Sequence, residues 1–288
     1  MSVFVCGALH WDLLIDAPRL PGLDETLAGT GAAQAFGGKG GNQALAAVRH
    51  GAQVAMAGRV GDDDPGRRMR AALTEAGVET AQIQRGGGAS GLSAAIVTPD
   101  GAYGAVIVSG ENRAIDPARI VLPEDTRILV LQQEIPVDVN RALARRARAV
   151  GARVMLNAAP ARGCDLAPDL LVVNRVEVAQ LTGITDPQAA AADLAKDGPV
   201  IVTLGADGLI LAAEDRLIQH PARPVDMISS HGAGDAFVGA LAARLAAGDA
   251  LEAAADYAQT AAALHVSTRP EVRGRIGPAQ VRAFQDRR

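Results

Sequence analysis

Short runs of apolar residues alternate along the chain with longer Ala-rich segments. The apolar runs are typical of strands covered on both faces, and we predict strands at residues 3–9, 53–60, 128–132, 153–157, 170–174, 200–204 and 209–213. The Ala-rich segments predict helices at 42–50, 65–76, 137–150, 187–197, 234–247 and 251–265. Because strands and helices alternate, the pattern predicts one α/β domain over residues 1–288, a doubly wound, mostly parallel sheet with helices on both faces.

Two segments break this alternation because neither contains a helix. Residues 13–35 carry prolines and glycines between short β-like pieces, and residues 93–109 read as a hairpin with Pro99-Asp100-Gly101 as its turn. Together they predict a small antiparallel sheet beside the main domain, a candidate lid. The alternative is a pair of ordinary surface loops with edge strands.

Composition and charge exclude several classes of protein. The net charge of −4 and a content of one Trp, two Tyr and four Phe argue against a nucleic-acid binder, which needs a basic face or stacking rings. No apolar run approaches the ~20 residues of a membrane span. The chain enters an apolar strand without a basic region, and Cys6 and Cys164 form no metal motif. We therefore expect a cytoplasmic protein with reduced thiols.

A glycine-rich segment precedes the first predicted helix. Residues 37–42 read Gly-Gly-Lys-Gly-Gly-Asn, which lets the backbone approach a ligand closely beside the unpaired N–H groups of a helix start. The segment is neither a Walker A loop nor a Rossmann fingerprint, so a dinucleotide-dependent dehydrogenase is disfavoured. A tight turn without a ligand is the alternative.

A second such segment opens the helix at 234–247 and reads Ser-Ser-His-Gly-Ala-Gly-Asp over residues 229–235. Successive amides at this helix start predict an anion cradle suited to a transferring phosphoryl group. Asp235 follows in the first turn as a candidate base that deprotonates an attacking hydroxyl. The alternative is an acid that only stabilises the positive end of the helix.

Further polar residues follow predicted strands, at the edge where parallel sheets bind ligands. Asn174 and Glu177 follow the strand at 170–174, where Glu177 is a candidate Mg²⁺ ligand. The same two residues also fit a simple helix-capping pair. Residues 203–208 form a turn between two strands, with a plain β-turn as the alternative, and Asp12 follows the first strand.

These five motifs, in this order, resemble those of the ribokinase/PfkB family of carbohydrate kinases, and ribokinase-type members in particular. The resemblance extends over essentially the whole chain. It rests on residues 37–44 and 231–237, with weaker matches at 109–112, 131–136, 174–177 and 203–205. It implies a doubly wound domain with a small β lid, and transfer of the γ-phosphate of ATP to a sugar hydroxyl.

The resemblance also implies roles by motif position. Asp235 would be the general base, and the amides of Gly232, Ala233 and Gly234 would form the anion hole for the transferring phosphoryl group. The acceptor would contact His10, Asp12, Gly38, Lys39, Asn42 and Glu134. The nucleotide would lie along Asn174, Thr203, Gly205, Gly208 and Gln259, with Mg²⁺ held at Glu177.

Three departures from the family pattern affect the expected chemistry. His10 stands where the pattern has an Asn that binds sugar, and with Trp11 it points to an acceptor different from or larger than ribose. Ser229 replaces an Asp that belongs to the family's potassium site, and residues 267–271 read Ser-Thr-Arg-Pro-Glu in place of Thr-Arg-Lys-Gly-Ala. We therefore expect ATP and Mg²⁺ as cofactors, and expect potassium to raise activity little.

Three functions stay open at this point. The first is a kinase for ribose or a related small sugar, and the second is a nucleoside kinase of the adenosine or pseudouridine type. The third, a non-catalytic sugar- or nucleotide-binding regulator, has no need of Asp235. The expected partners are the small-molecule substrate and a second copy bound through the lid, with no nucleic acid and no membrane.

Overall fold

The computed structural model describes residues 2–99, 103–163, 166–213 and 216–286. They form a large sheet, a separate small sheet and eight α-helices. The large sheet contains β1 (Val3–Cys6), β4 (Val54–Gly61), β5 (Ile83–Gly86), β8 (Ile128–Gln132), β9 (Arg153–Asn157), β10 (Leu170–Asn174), β11 (Val200–Thr203), β12 (Leu209–Ala213) and β13 (Arg216–His220).

The order of strands in the large sheet is β13-β12-β11-β10-β9-β8-β1-β4-β5. All pairs from β11 to β5 are parallel, and only β12 and β13 are added antiparallel at one edge of the described sheet. The order reverses direction at β1, which lies between β8 and β4. The predicted doubly wound, mostly parallel sheet is therefore confirmed.

Helices cover both faces of this sheet. One face carries α1 (Lys39–Arg49), α2 (Asp64–Glu75), α6 (Ala233–Ala247), α7 (Leu251–Ser267) and α8 (Pro278–Gln285). The other carries α3 (Val137–Ala149), α4 (Arg175–Thr182) and α5 (Pro187–Leu194). Leu, Val, Ile and Ala make up most of both hydrophobic layers, as expected from the scarcity of aromatic residues. Of the helices in the described part of the chain, none has the length and hydropathy needed to cross a bilayer.

The small sheet, which we call the lid sheet, contains β2 (His10–Asp16), β3 (Gly31–Gly37), β6 (Gly91–Val97) and β7 (Tyr103–Val108) in the order β3-β2-β6-β7. It confirms the small sheet predicted from the two segments without helices. The outer pairs are antiparallel as predicted, but the central pair β2–β6 is parallel because the chain passes through the main domain between the two hairpins. Part of the predicted turn at residues 99–101 lies outside the described residues.

The strand predicted at residues 3–9 is shorter in the structure, because the chain leaves the large sheet after Cys6 and enters the lid sheet at His10. β1 ends at Cys6, and His10 already begins β2. Between them, Asn112 takes both backbone groups of Leu9: its Oδ1 accepts from the Leu9 amide at 2.9 Å and its Nδ2 donates to the Leu9 carbonyl at 2.8 Å. This side chain thus replaces the sheet partners that Leu9 leaves when the chain turns into the lid sheet.

Helix α1 begins at Lys39, three residues before the predicted start at 42. The glycine-rich segment is therefore mostly the first turn of the helix rather than a loop before it. A Cβ on Gly40 would lie 2.6 Å from the carbonyl carbon of Gly7, so only glycine lets the helix start rest directly on the end of β1. This contact fixes the first turn of α1 at the carboxyl edge of the large sheet.

Candidate active site

Helices α1 and α6 cross closely and bring their first turns together. A Cβ on Gly239 would lie 2.4 Å from the Cβ of Ala46, so the crossing needs glycine at this position. As a result, Nδ2 of Asn42 donates to Oδ2 of Asp235 at 3.2 Å, and Nε2 of Gln43 donates to Oδ1 of Asp235 at 2.9 Å. Both carboxylate oxygens are held by amides from the neighbouring helix.

Opposing effects act on the ionisation of Asp235. Burial raises the pKa of this carboxyl group, since its side chain is 8% exposed. The positive charge of Lys39 and the hydrogen bonds from Gln43 and Asn42 lower the pKa, but they do not cancel the effect of burial. Asp235 is thus a carboxylate that is poorly solvated and held in one orientation. Both properties are typical of a general base.

A cleft opens beside Asp235. The amides of Gly232 and Gly234 have no hydrogen-bond acceptor among the described residues, whereas Ala233 donates its amide to the Ser230 carbonyl at 3.1 Å. Unpaired amides at the start of α6 suit an anion. The cleft is lined by Lys39, Asn157, Ala159, Val172, Val173, Asn174, Glu177, Thr203, Ser230, Gly232, Ala233, Gly234, Asp235, Phe237 and Val238.

Behind Asp235 lies a chain of buried amides that the sequence prediction missed. Gln43 is fully buried, and its Nε2 also donates to Oδ1 of Asn157 at 3.0 Å. Nε2 of Gln132 donates to Oε1 of Gln43 at 2.8 Å, which fixes the orientation of the Gln43 amide. Asn157 ends a predicted strand at the carboxyl edge, so the rule that selected Asn174 would have found it. Gln43 carried a weaker signal, a lone amide in an Ala-rich helix.

Glu134 joins the predicted acceptor residues of the main domain to those of the lid sheet. Its Oε2 accepts from the Lys39 amide at 2.9 Å and lies 4.0 Å from Nδ1 of His10. Burial raises the pKa of Glu134 and lowers that of His10, so the histidine is neutral. Burial alone lowers the pKa of Lys39, but the charges of Asp235, Glu134 and Glu177 outweigh it, and the ammonium stays charged.

Asp12 faces the same side of the lid sheet as His10 and is also buried. The hydroxyl of Ser93 donates to its Oδ1 at 2.5 Å, a contact that the sequence did not predict. Trp11 alternates to the opposite face of the lid sheet, where the Arg68 guanidinium lies 5.7 Å from the centre of its ring. The indole therefore lies away from Asp12, and this geometry gives no support to a role in shaping the acceptor pocket.

Asn174 and Glu177 form a capping box at the start of α4 while also lining the cleft. Oδ1 of Asn174 accepts from the Glu177 amide at 2.9 Å, and Oε2 of Glu177 accepts from the Asn174 amide at 2.8 Å. Burial raises the pKa of Glu177. Its Oε1 takes no part in the cap, so the capping interpretation is correct and leaves one oxygen for a cation.

This donor set fits Mg²⁺ held mainly by phosphates. Among the described residues, no group of three His, Cys, Asp or Glu side chains could hold a metal. Protein-bound Mg²⁺ commonly uses one or two carboxylates and takes its other ligands from water and substrate phosphates. Glu177 and Asp235 are the carboxylates that line this cleft, and Glu177 is the one whose second oxygen is left for such a site.

Three predicted nucleotide contacts lie outside the lining of the cleft, although Thr203 is part of it. Gly205 belongs to a 3₁₀ turn between β11 and β12. Gly208 has a φ of 96°, and a Cβ there would lie 2.0 Å from the His220 carbonyl oxygen. Gln259 is buried and donates to the Pro221 carbonyl at 3.0 Å. Gly208 and Gln259 thus both adjoin the chain around the end of β13.

A buried, oriented carboxylate beside free amides at the carboxyl edge of a doubly wound sheet is an arrangement typical of enzymes that transfer phosphate to a hydroxyl. The chain belongs to the pfkB family of carbohydrate kinases, whose sequence profile matches residues 2–271. It is accordingly an ATP-dependent carbohydrate kinase.

Known relatives agree in sequence and in fold. The chain is 33% identical to the ribokinase of Bacillus subtilis (strain 168) over 274 residues, which cover 92% of each chain. It is 30% identical to the deoxyribokinase of Salmonella typhi over 284 residues, 93% of each chain. The solved structure of Arabidopsis thaliana ribokinase complexed with ribose and ATP matches with a TM-score of 0.87 at 27% identity, covering 98% of each chain.

Proposed function

We propose that this kinase transfers the γ-phosphate of ATP to a hydroxyl of ribose or a closely related small sugar, with Asp235 as the general base. The observation that carries the proposal is the double hydrogen bond from Asn42 and Gln43 to Asp235. These two bonds hold the Asp235 carboxylate next to Asn42, one of the proposed acceptor contacts, which supports its role as the base. The ribokinase and deoxyribokinase relatives support a pentose as the acceptor class.

On the acceptor side, the groups available for hydroxyls are the carboxylates of Asp12 and Glu134, the amide of Asn42 and the ammonium of Lys39. Asp12 is held by Ser93, and Glu134 by the Lys39 amide, so these acceptors for sugar hydroxyl protons are fixed in advance. The hydroxyl that becomes the nucleophile loses its proton to a carboxylate oxygen of Asp235. The neighbouring Lys39 charge stabilises the carboxylate before this transfer.

On the phosphate side, the amides of Gly232 and Gly234 donate to the oxygens of the transferring group. Glu177 would hold Mg²⁺ with the nucleotide phosphates, and the ion would supply positive charge that offsets the phosphate oxygens. The side-chain nitrogen of Asn174 would donate to a phosphate, because its Oδ1 already accepts from the Val176 and Glu177 amides. Closure of the lid sheet over the acceptor excludes water, which would otherwise compete as the nucleophile.

The decisive experiment is a panel of acceptors measured by ADP release with ATP and Mg²⁺. The panel contains ribose, deoxyribose, other small sugars, adenosine and pseudouridine. We expect the highest kcat/KM for ribose or a related sugar. If only the nucleosides are phosphorylated, the protein is a nucleoside kinase and the sugar proposal is wrong. If ATP binds but no acceptor is phosphorylated, the catalytic proposal is contradicted.

We also infer a homodimer that forms through the lid sheet. β7 is an edge strand of this sheet, and three consecutive apolar residues on it are exposed: Val106 by 68%, Ile107 by 58% and Val108 by 54%. An exposed apolar edge strand is a ready template for pairing with another chain. A second copy that covers this edge would remove the apolar surface from water.

A further inference from the structure

The guanidinium group of Arg273 lies directly behind the cradle segment, which we define as residues 229–234. Its Nη2 donates to the Ser229 carbonyl at 3.0 Å, and its Nη1 donates to the His231 carbonyl at 3.1 Å. Its Nε donates to the Thr268 carbonyl at 3.0 Å, at the end of α7. One side chain therefore ties the cradle segment to the segment that follows α7.

This guanidinium is a buried charge whose hydrogen-bond partners are carbonyl groups. Arg273 is 8% exposed, and burial lowers its pKa, while Glu271 at longer range raises it. Within the described ranges, no carboxylate lies within 4 Å of the guanidinium nitrogens. Arginine stays protonated even when buried, so a full positive charge faces three carbonyl dipoles.

The Ser229 and His231 carbonyls each belong to a peptide group whose N–H comes from a residue that lines the cleft. The Ser229 carbonyl shares its peptide group with the amide of Ser230, and the His231 carbonyl shares its group with the amide of Gly232. Both peptide bonds are trans, so each amide points opposite to its carbonyl. Ser230 and Gly232 both line the cleft. A cation on the carbonyl side therefore polarises the N–H groups available to an anion.

His265 adds a second donor to one of these carbonyls without adding charge. Its Nε2 lies 2.9 Å from the His231 carbonyl oxygen. Burial lowers the pKa of His265 to about 4, so at neutral pH the imidazole is uncharged and its Nε2 carries the proton that is donated. Arg273 is thus the positive group in direct contact with the described cradle carbonyls.

We propose that Arg273 is a positioning residue that acts as a built-in monovalent cation: it fixes and polarises the cradle segment, and the kinase consequently has no need of bound potassium. The residues do not fit a potassium ion, because the carbonyls of Ser229, His231 and Thr268 already accept from the guanidinium. Ser229 carries no charge, and Asp226, the nearest acid before it, is exposed. The proposal rests on the phosphoryl-transfer function proposed above.

The test compares Arg273→Ala and Arg273→Lys with a matched control, Arg275→Ala, an exposed arginine in the same 3₁₀ segment. Steady-state kinetics are measured with the best acceptor, with and without tens of millimolar KCl or guanidinium chloride. We expect Arg273→Ala to lower kcat about 10- to 100-fold with little change in KM for the acceptor. Guanidinium or potassium should restore part of this loss in Arg273→Ala only, and potassium should leave the wild-type rate unchanged.

Amide hydrogen exchange gives a readout that does not need turnover. In Arg273→Ala, amides of the cradle segment should exchange faster than in the wild type, while Arg275→Ala should leave them unchanged. If the wild type phosphorylates no acceptor but the variants show this exchange pattern, the kinase function is refuted and the positioning role of Arg273 is supported. Unchanged cradle exchange in both Arg273 variants, or strong potassium activation of the wild type, would overturn the Arg273 proposal.

Discussion

At the scale of single residues, the site is organised around one carboxylate that is costly to ionise. Burial raises the pKa of Asp235, whereas Lys39, Gln43 and Asn42 lower it. A base must be deprotonated at the working pH and still attract a proton as the reaction proceeds. The balance of burial against two amide donors and one ammonium suits Asp235 to both demands, which supports its proposed role as the base.

Replacing Asp235 by Asn removes the proton acceptor without changing the shape of the side chain. We expect kcat to fall about 10²- to 10⁴-fold, because a general base contributes on that order. Circular dichroism and thermal unfolding should show an intact fold. Asp226→Asn, at an exposed position before the cradle segment, is the control and should keep its activity. Near wild-type turnover by Asp235→Asn would exclude it as the base.

The Gln43→Met substitution removes a donor to the Asp235 carboxylate and leaves a side chain of similar volume. Since this hydrogen bond lowers the pKa of Asp235, its loss should raise that pKa and move the acid limb of the kcat/KM profile to higher pH. The maximal rate should fall about tenfold through poorer orientation. The exposed Gln188→Met is the control, and an unchanged acid limb would contradict the orienting role.

At the scale of elements, helix starts decide where the chemistry lies. The glycine-rich segment predicted as a ligand loop is the first turn of α1, packed on the backbone of Gly7. The start of α6 carries the cradle amides. Both helices begin at the carboxyl edge of the sheet, and their close crossing aligns Asn42 and Gln43 with Asp235.

The Gly40→Ala substitution tests the packing of the α1 start on the Gly7 backbone, as distinct from the general effect of replacing glycine by alanine. A Cβ at Gly40 would lie 2.6 Å from the Gly7 carbonyl carbon, so we expect a loss of about 1–3 kcal/mol in the free energy of unfolding. The displaced helix start should also raise the acceptor KM. In the control Gly87→Ala no atom lies within 4 Å of the added Cβ, and stability should change little in urea unfolding. Equal effects of the two substitutions would rule out the packing argument.

Elements with a clear apolar pattern could be predicted from the sequence even when they are short, such as β1, and short elements without such a pattern could not. β5 (Ile83–Gly86) and β13 (Arg216–His220) are edge strands with little apolar pattern, and the short α4 is defined mainly by its cap at Asn174. Asn174, the last residue of β10, follows from topology. Asp12 does not, because it lies within β2 of the lid sheet and not at the end of a strand of the large sheet. Ser93, Gln43 and Arg273 act through contacts between distant segments, which no local pattern indicates.

At the scale of the whole molecule, buried histidines make the fold sensitive to acid. Nδ1 of His50 lies 2.9 Å from the Tyr257 hydroxyl, and burial lowers the pKa of His50 to about 4, as it does for His265. Between about pH 6.5 and 4, these two histidines therefore bind protons in the unfolded chain but stay largely unprotonated in the folded chain. In that window the stability contributed by neutral histidine is lost as the pH falls.

We expect the free energy of unfolding to decrease from about pH 6.5 to pH 4, by about 3 kcal/mol for His50 alone. The raised pKa values of Asp235, Glu134 and Glu177 act in the opposite direction. The difference between wild type and His50→Gln in urea unfolding at each pH isolates the histidine. Parallel pH curves for the two proteins would show that His50 does not titrate as its burial indicates.

The proposed dimer also belongs to this scale. Replacing Ile107 by Lys on the exposed edge strand β7 should convert a dimer into a monomer, as measured by light scattering after size-exclusion chromatography. Val121→Lys, which changes an equally exposed apolar residue in the main domain, should leave the dimer intact. A wild-type monomer at micromolar concentration would rule out the lid interface.

The two hairpins of the lid sheet each leave the main domain and return to it at nearly the same point. A Cβ on Gly38 would lie 2.9 Å from the Cα of Leu9, and one on Gly110 would lie 2.7 Å from the Ser90 carbonyl oxygen. Each hairpin is thus an insertion that a very short linker could replace. A chain trimmed in this way would keep every described strand of the large sheet and the residues lining the cleft. We therefore expect that the lid-sheet residues His10 and Asp12 can be deleted while Lys39 and Glu134 of the main domain stay in place, and that ADP binding to the trimmed chain can be measured without the lid sheet.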